Sequence, residues 1–326
     1  MSYLRHRGRT TALLAPLATI AALGLLAGCS TSTPSASSDS TSDASAVNAD
    51  LAALLPDSIK DSGEISFDAL WETPPVISVS TDDPTVPIGI SPDIAAAIAP
   101  ILGVKATWVN LQWPAQLPGL QSGNVDVLFG QVSVTKEREQ GIVDLIPYTK
   151  DGQTILVAAG NPKGLESLAN ACGATIGVAV GSTFSAEVEG ASEKFCTSAG
   201  EDAITIAPYP NASNAISAIK AGTIDGWVNN TSQNADVAAS SAADFDTVEI
   251  PEEQTVDYDP GLAGIAISKA NPGLSEAVAG ALKEIIDNGE YARIMAKYEA
   301  DNVAISSSDV KINPLTGTEA GVKAAS

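Results

Sequence analysis

The stretch that decides the fold is residues 89–139, GISPDIAAAIAPILGVKATWVNLQWPAQLPGLQSGNVDVLFGQVSVTKERE. It opens with a helix pattern in which Ser91 is the expected N-cap, Pro92 the first helical residue and Gly103 the stop. Short apolar runs within residues 105–129 then have the length and composition of buried strands. A helix of this length beside short apolar strands predicts an α/β fold with largely parallel sheets.

The same alternation extends over most of residues 63–300. Apolar runs on either side of Asp82 and Asp83 predict a β-hairpin at Val79–Gly89. Further along, Asn271 and Pro272 begin a helix pattern whose apolar positions lie on one face. These apolar positions are Leu274, Val278, Leu282 and Ile285. The candidate strands are Glu64–Phe67, Lys105–Val109, Val125–Phe129, Thr154–Ala158, Thr175–Val180, Ala203–Ile206, Ile224–Val228, Thr247–Ile250 and Leu262–Ser268.

The N-terminus has the layout of an export signal. Arginines precede a mostly apolar run over residues 12–27, which is too short for a confident membrane span. The run ends in Leu26-Ala27-Gly28-Cys29, which resembles the lipobox of bacterial lipoproteins and predicts a lipoprotein signal peptide over residues 1–28, with lipid attached to Cys29. An ordinary signal peptide with a chance cysteine is the alternative. Residues 29–50 are rich in Ser and Thr and predict a flexible tether between membrane and folded domain.

Composition excludes several classes of protein. From Cys29 onward the chain keeps 14 of its 17 basic residues and all 39 acidic ones, a formal net charge of −25. Such a charge argues against nucleic acid and against electrostatic binding to anionic lipid. The single histidine, His6, lies in the predicted signal, so nucleophile systems built on His are not available to the mature chain. We expect neither a metal nor a cofactor.

Two cysteines remain after Cys29, namely Cys172 and Cys196. In an exported protein, a pair at this spacing favours a disulfide over a metal site. Two buried free thiols are the alternative.

An ordered series of stretches resembles the amino-acid-type extracellular solute-binding proteins of ABC importers, periplasmic binding protein family 3. Residues 63–75 (GEISFDALWETPP) and the opening stretch 89–139 resemble the first lobe of that family. Residues 173–189 (GATIGVAVGSTFSAEVE) and 215–230 (AISAIKAGTIDGWVNN) resemble its second lobe, and residues 261–300 its return to the first.

The resemblance implies a two-lobe clamshell of the type II periplasmic-binding-protein class. Each lobe would be a mostly parallel sheet flanked by helices, and two hinge strands would join the lobes. The implied domains are lobe 1 at 63–152 plus 258–305, lobe 2 at 153–257, and a polar C-terminal tail at 306–326. Ligand would bind in the cleft, which closes on it.

The resemblance also assigns a carboxylate site. Arg138, in Thr135-Lys136-Glu137-Arg138, matches the family's arginine that pairs with the ligand α-carboxylate, a task suited to a planar guanidinium. A surface ion pair of Arg138 with Glu137 or Glu139 is the alternative. The other implied ligand-binding residues are Ser133, Gln131, Ser182, Thr183, Trp113, Trp71, Glu72 and Asn230.

Four of these residues have other readings. Ser133 is alternatively a turn serine at the end of a strand. Ser182 and Thr183 open a helix whose free amides favour an anion, although a plain N-cap is compatible with the same pattern. Trp113 matches an aromatic wall for the ligand side chain, or is a core residue.

The chain departs from the family in two places. Thr73 stands where an aromatic residue usually precedes two prolines, so Trp71 would have to supply that wall. Asn230 stands where amino-acid binders usually carry an Asp for the ligand ammonium. Either Glu72, Asp257 or Asp259 compensates, or the ligand lacks an ordinary free α-ammonium, as in opines and N-substituted amino acids.

The predicted function is therefore a lipid-anchored binding protein, located on the outer face of the cell membrane, that delivers a polar amino acid, opine or similar carboxylate to an ABC permease. Leu70, at a position where binders of basic amino acids carry a carboxylate, argues against Lys, Arg or His as ligand. A sensory partner of a membrane receptor and a dehydratase-like enzyme on the same fold are the alternatives.

Overall fold

The structure is a computed structural model that describes residues 47–251, 254 and 258–322, with the side chains of 258–260 excepted. The predictions for the signal peptide, Cys29 and most of the tether lie outside the described residues, as do those for the side chains of Asp257 and Asp259. In the part of the chain that is described, no helix has both the length and the apolar composition to cross a bilayer.

Helices and strands alternate along the chain. The helices are Ala49–Ala53 (α1), Asp57–Ser62 (α2), Ile90–Ile101 (α3), Trp113–Ser122 (α4), Lys136–Gln140 (α5), Phe184–Ala191 (α6), Ala212–Lys220 (α7), Thr231–Ser240 (α8), Pro272–Asp287 (α9) and Glu290–Lys297 (α10). The strands are Glu64–Ala69 (β1), Glu72–Thr73 (β2), Ile77–Val79 (β3), Pro87–Ile88 (β4), Lys105–Asn110 (β5), Val127–Thr135 (β6), Val143–Lys150 (β7), Gln153–Ala158 (β8), Thr175–Ala179 (β9), Thr205–Tyr209 (β10), Gly226–Asn230 (β11), Phe245–Glu249 (β12) and Tyr258–Ser268 (β13).

Two five-stranded sheets form the two lobes. The strand order is β5-β1-β6-β13-β7 in the first lobe and β10-β9-β11-β8-β12 in the second. The chain passes from β7 to β8 and returns from β12 to β13, so two crossings join the lobes. The predicted two-lobe α/β fold is confirmed.

The sheets are mixed rather than mostly parallel, which corrects the expected strand directions. In the first sheet β1 runs parallel to β5 and β6, whereas β13 runs antiparallel to β6 and β7. In the second sheet β9 runs parallel to β10 and β11, whereas β8 runs antiparallel to β11 and β12. The antiparallel strands β8 and β13 are the ones that enter their sheets directly from the crossings.

Each lobe has its own apolar core. The predicted face of α9 is confirmed, since Leu274, Val278, Leu282 and Ile285 are all buried in the first lobe. Burying a side chain of this size contributes about 1.5–3 kcal/mol. In the second lobe Ile155, Ile176 and Val228 meet the apolar side of α6.

The expected N-cap of α3 is wrong by two residues. The helix begins at Ile90 after Gly89, and Ser91 lies inside it. Gly89 has a φ of +136°, and a Cβ there would lie 2.4 Å from the carbonyl oxygen of Val76. Only glycine fits so close an approach. The neighbouring hairpin is confirmed, because β3 and β4 pair antiparallel.

The predicted disulfide between Cys172 and Cys196 is present. Cys172 lies before β9 and Cys196 after α6. The bond therefore closes a loop that contains both elements and the turn between them.

Both ends of the described chain pack on the first lobe. The Asn48 amide donates to the carbonyl of Ile101 at 2.8 Å, so the folded part already includes residues 48–50, which were assigned to the tether. Residues 306–326 were predicted to be a polar tail, but within the described part of this segment Val310 and Asn313 are fully buried. We call residues 306–322 the C-terminal strap.

Candidate functional site

A cavity lies between the two lobes and collects most of the predicted ligand-binding residues. The first lobe contributes Gln131, Ser133, Arg138 and Trp113 to its lining, and the second contributes Ser182, Thr183 and Asn230. Seven of the nine predicted residues are thus brought together.

Two predicted residues do not line this cavity. Trp71 is 7% exposed and packs in a small apolar cluster with Ala69, Val76 and Ile77. Glu72 is exposed on the short strand β2 and borders a smaller pocket that adjoins the cavity and shares lining residues with it. Because Trp71 packs in this cluster and not in the cavity lining, it does not replace the missing aromatic wall.

Arg138 is placed by the junction of β6 with α5. The Thr135 hydroxyl caps α5 by accepting the Arg138 amide at 3.2 Å. The guanidinium Nη1 donates to the Ser133 carbonyl at 2.9 Å, and its carbon lies 5.5 Å from the centre of the Trp113 ring. Of the two glutamates given as alternative ion-pair partners, Glu139 is buried and accepts hydrogen bonds from Leu315 and Thr316, whereas the alternative with Glu137 stays a prediction. Trp113 both lines the cavity and packs against core residues, so its two readings hold together.

The second lobe presents a helix N-terminus to the same cavity. After β9, a turn with Gly181 at a φ of +73° leads into α6. Ser182 donates its hydroxyl to the Ala179 carbonyl at 2.7 Å. Thr183 occupies the N-cap position but makes no side-chain cap bond. Its hydroxyl instead donates to the Ser133 hydroxyl at 3.3 Å, across the cleft. The first amides of a helix lack intrahelical partners and favour a negative group.

A chain of amide side chains also crosses between the lobes. Gln131 donates to the Asp151 carboxylate at 2.7 Å and to the Ser232 hydroxyl at 3.2 Å. Its carbonyl oxygen accepts from Gln233, which in turn accepts from Asn229 at 2.8 Å. Burial raises the pKa of Asp151, and the hydrogen bonds from Ser232 and Gln131 oppose that rise. An ionised Asp151 can only accept, so it holds the Gln131 nitrogen on its own side and leaves the Gln131 carbonyl oxygen to accept from Gln233.

Sequence reasoning missed several lining residues, namely Gln116, Asn211, Trp227, Asn229 and Gln233. Asn229 and Trp227 lie within the quoted stretch 215–230 and are polar or aromatic residues at a strand end, the kind of signal used for Asn230. Gln233 is the third residue of α8, and nothing in its local sequence distinguishes it from a solvent-facing residue.

The described lining of the cavity is rich in neutral hydrogen-bonding groups. Among its described lining residues, Arg138 carries the only charge, and the other polar groups are hydroxyls and amides. Glu187, in α6, is close enough to Arg138 to interact with it electrostatically. Burial raises the pKa of Glu187 to about 7, and the positive charge of Arg138 opposes that rise. The arrangement suits a small molecule with one carboxylate and further hydrogen-bonding groups.

Comparison with known proteins agrees with this geometry. The family model described as bacterial extracellular solute-binding proteins, family 3, matches residues 71–301. The arginine-binding protein ArgT of Corynebacterium glutamicum is 25% identical over 268 residues, which cover 82% of this chain and 84% of that protein.

Solved structures are similar over most of the chain. An ancestral arginine-binding protein bound to glutamine has a TM-score of 0.64 and 26% identity, covering 73% of this chain and 98% of its own. An ancestral amino acid-binding protein described as a precursor of cyclohexadienyl dehydratase has a TM-score of 0.61 and 26% identity, covering 74% of this chain and 98% of its own.

Proposed function

Because the chain belongs to family 3 of the bacterial extracellular solute-binding proteins, we propose that it captures a polar amino acid or a related small carboxylate in the interlobe cavity and delivers it to an ABC transporter permease. One observation carries this proposal. Arg138 of the first lobe and the Ser182–Thr183 turn of the second line the same cavity, although 44 residues separate Arg138 from Ser182 in the sequence. Relatives with similar sequences are named as amino-acid-binding proteins.

In this proposal the ligand carboxylate bridges the lobes. Arg138 would hold it from one side by charge-assisted hydrogen bonds, and the N-terminal amides of α6 from the other. A group held by both lobes stabilises the closed arrangement by its differential affinity for that arrangement. The rest of the ligand would meet Gln131, Asn230 and Trp113.

The described lining residues include no carboxylate, and this bears on whether the ligand carries an ammonium group. Burying an ammonium without a carboxylate partner is costly. Glu72 is not among the described residues that line the cavity, although it borders an adjoining smaller pocket. Glu72, Asp257 and Asp259 remain the candidate partners for an ammonium group, and the alternative is a ligand whose nitrogen is neutral, such as an N-acylated amino acid.

A thermal-shift screen of matched ligand pairs tests the proposal. Each pair contains a free amino acid and its N-acetyl form, for example L-glutamine with N-acetyl-L-glutamine, alongside opines and small hydroxy acids. A ligand at a thousandfold excess over its Kd stabilises the folded state by about 4 kcal/mol. Within a pair, preference for the N-acetyl form supports a ligand without ammonium, and preference for the free form supports compensation by a hinge carboxylate. If no carboxylate shifts the melting temperature, the binding function is refuted.

A dehydratase activity is the second candidate, favoured by the similarity to an ancestral precursor of a dehydratase. Dehydration requires a positioned acid or base. The described lining residues include no carboxylate, and the mature chain has no histidine. We therefore place binding first. Turnover of a cyclic carboxylate by the purified protein would reverse that order.

We also propose the lipid anchor at Cys29. Replacement of Cys29 by Ala is expected to move the protein from the membrane fraction to the soluble exported fraction, because the thiol that carries the lipid is gone. Fractionation followed by immunoblotting measures this. A Cys172→Ala, Cys196→Ala double variant is the control and should stay with the membrane, whereas membrane retention of the Cys29→Ala protein would refute the anchor.

A further inference from the structure

The ligand-facing helix α5 is too short to hold its own position. It has five residues, Lys136–Gln140, and isolated helices of that length are unstable in water. Thr135 caps its first turn by accepting the Arg138 amide. The helix must therefore be held at its other end by contacts from outside.

Glu139, the residue after Arg138, provides that contact. Its side chain is fully buried and faces the C-terminal strap. It accepts hydrogen bonds from the Leu315 amide at 3.2 Å, the Thr316 amide at 2.8 Å and the Thr316 hydroxyl at 2.8 Å. A buried carboxylate is stable only with such partners, so the loss of one of them disturbs the helix that carries it.

The strap is itself anchored to the first lobe. The backbone amide of Asn313 donates to the Leu145 carbonyl at 2.9 Å. The side-chain oxygen of Asn313 accepts from the backbone amide of Leu145 at 3.1 Å. Its side-chain nitrogen donates to Asp144 at 2.9 Å. Asp144 also accepts from Gly321 at 3.0 Å and forms a fully buried ion pair with Lys269 at 3.2 Å. The strap is thus a fixed support rather than a loose tail.

We propose that the C-terminal strap positions Arg138 through Glu139 and Thr316, and so sets the protein's affinity for carboxylates. Glu139 and Thr316 are positioning residues, since neither lines the cavity. The inference rests on the proposed function only in taking Arg138 as the group that binds the carboxylate. Its structural half, that the strap orders α5, is independent of any ligand.

The test compares Thr316→Val with Thr316→Ser in the full-length protein. Valine keeps the shape of threonine but removes the hydroxyl donor, whereas serine retains it. Leu282→Ala is the control for general loss of stability, because Leu282 lies on the buried face of α9 in the core of the first lobe. Glu139→Gln provides a second variant on the other side of the contact, and all variants are studied well below their melting temperatures.

Hydrogen exchange of the amides in residues 136–141 is the ligand-free readout. We expect Thr316→Val and Glu139→Gln to speed this exchange by roughly tenfold, since each weakens a hydrogen bond to a charged group. Thr316→Ser and Leu282→Ala should leave it close to wild type. Equal exchange in Thr316→Val and wild type, or equal acceleration in Leu282→Ala, would overturn the inference.

Calorimetric titration with L-glutamine and N-acetyl-L-glutamine is the second readout. Where the wild type binds either probe, Thr316→Val should weaken binding by roughly tenfold and Thr316→Ser should restore it. Unchanged affinity in Thr316→Val would overturn the link to binding. If the wild type binds neither probe and no carboxylate in the screen, the proposed function fails, and the exchange measurement still decides whether the strap orders α5.

Discussion

The two lobes secure their ligand-facing elements by different means. In the second lobe, a disulfide joins two cysteines that are 24 residues apart in sequence. The loop that it closes contains β9, the Ser182–Thr183 turn and α6. In the first lobe, α5 is held by the C-terminal strap, and 177 residues separate Glu139 from Thr316. One support is covalent and local, and the other is a set of hydrogen bonds to a buried carboxylate from a distant segment.

The two kinds of support predict different effects when each is removed. A covalent loop stabilises mainly by restricting the unfolded chain, whereas a buried polar contact fixes one side chain in the folded state. We therefore expect disruption of the disulfide to reduce stability most, and disruption of the strap to affect the placement of Arg138 most.

The largest expected effect is on the second lobe. Replacing both Cys172 and Cys196 by Ser should lower the free energy of unfolding by about 3 kcal/mol, because the unfolded chain regains the freedom of the closed loop. Urea denaturation measures the loss. Hydrogen exchange should accelerate in α6 and stay unchanged in α5, which has its own support. An unchanged unfolding midpoint, or acceleration in α5, would contradict the contrast between the lobes.

The next effect is on binding across the cleft. Arg138→Ala should weaken binding of the carboxylate identified in the screen by at least about tenfold, or roughly 1.4 kcal/mol, because a charge-assisted contact is lost. Arg293→Ala is a matched control, since Arg293 is an exposed arginine in an ion pair with Glu290. Isothermal titration calorimetry measures both. Equal affinities in the two variants would show that Arg138 does not bind the carboxylate.

The smallest expected effect compares one buried carboxyl group in each lobe. Burial raises the pKa of Asp68 in the first lobe and of Glu187 in the second to about 7. Both groups have higher pKa values folded than unfolded, so the native state binds more protons between about pH 4 and pH 7. Their contribution to stability is therefore greatest at the acidic end and falls as the pH rises towards 7.

Asp68→Asn and Glu187→Gln should each flatten this decline, raising the free energy of unfolding at pH 8 relative to pH 5 by on the order of 1 kcal/mol. Denaturation at both pH values measures the change. The control, Asp57→Asn, removes an exposed carboxylate and should have the same effect at both. A variant that responds alike at pH 5 and pH 8 would show that its carboxyl group is not perturbed by burial.

Features that depend on local sequence could be predicted. The apolar period of α9, the cysteine pair and the Thr135–Arg138 turn each depend on residues close together, and the structure places them as expected. The strand β7 was missed because Pro147 interrupts its apolar run, as prolines usually do in strands. Trp71 and Glu72 were predicted to line the cavity and do not, because their positions depend on the path of the chain after β1.

Long-range features could not be predicted. The strap consists mostly of small and polar residues, and its few apolar ones, such as Val310, Ile312 and Leu315, show no helix period, which is typical of a disordered tail. Its order comes from buried partners, Glu139 and Asp144, whose own sequence context gives no sign of burial. Likewise, Gln233 faces the cavity only because α8 follows β11 at the inner edge of the second lobe.

The pairing of Asn313 with Leu145 has one more consequence. The strand β7 lies at the edge of its sheet, and Asn313 occupies both the amide and the carbonyl of Leu145 on the open side. An open strand edge is a template for strands of other molecules. A chain shortened before residue 313 would expose those groups, so proteolysis of the C-terminus would favour self-association and aggregation.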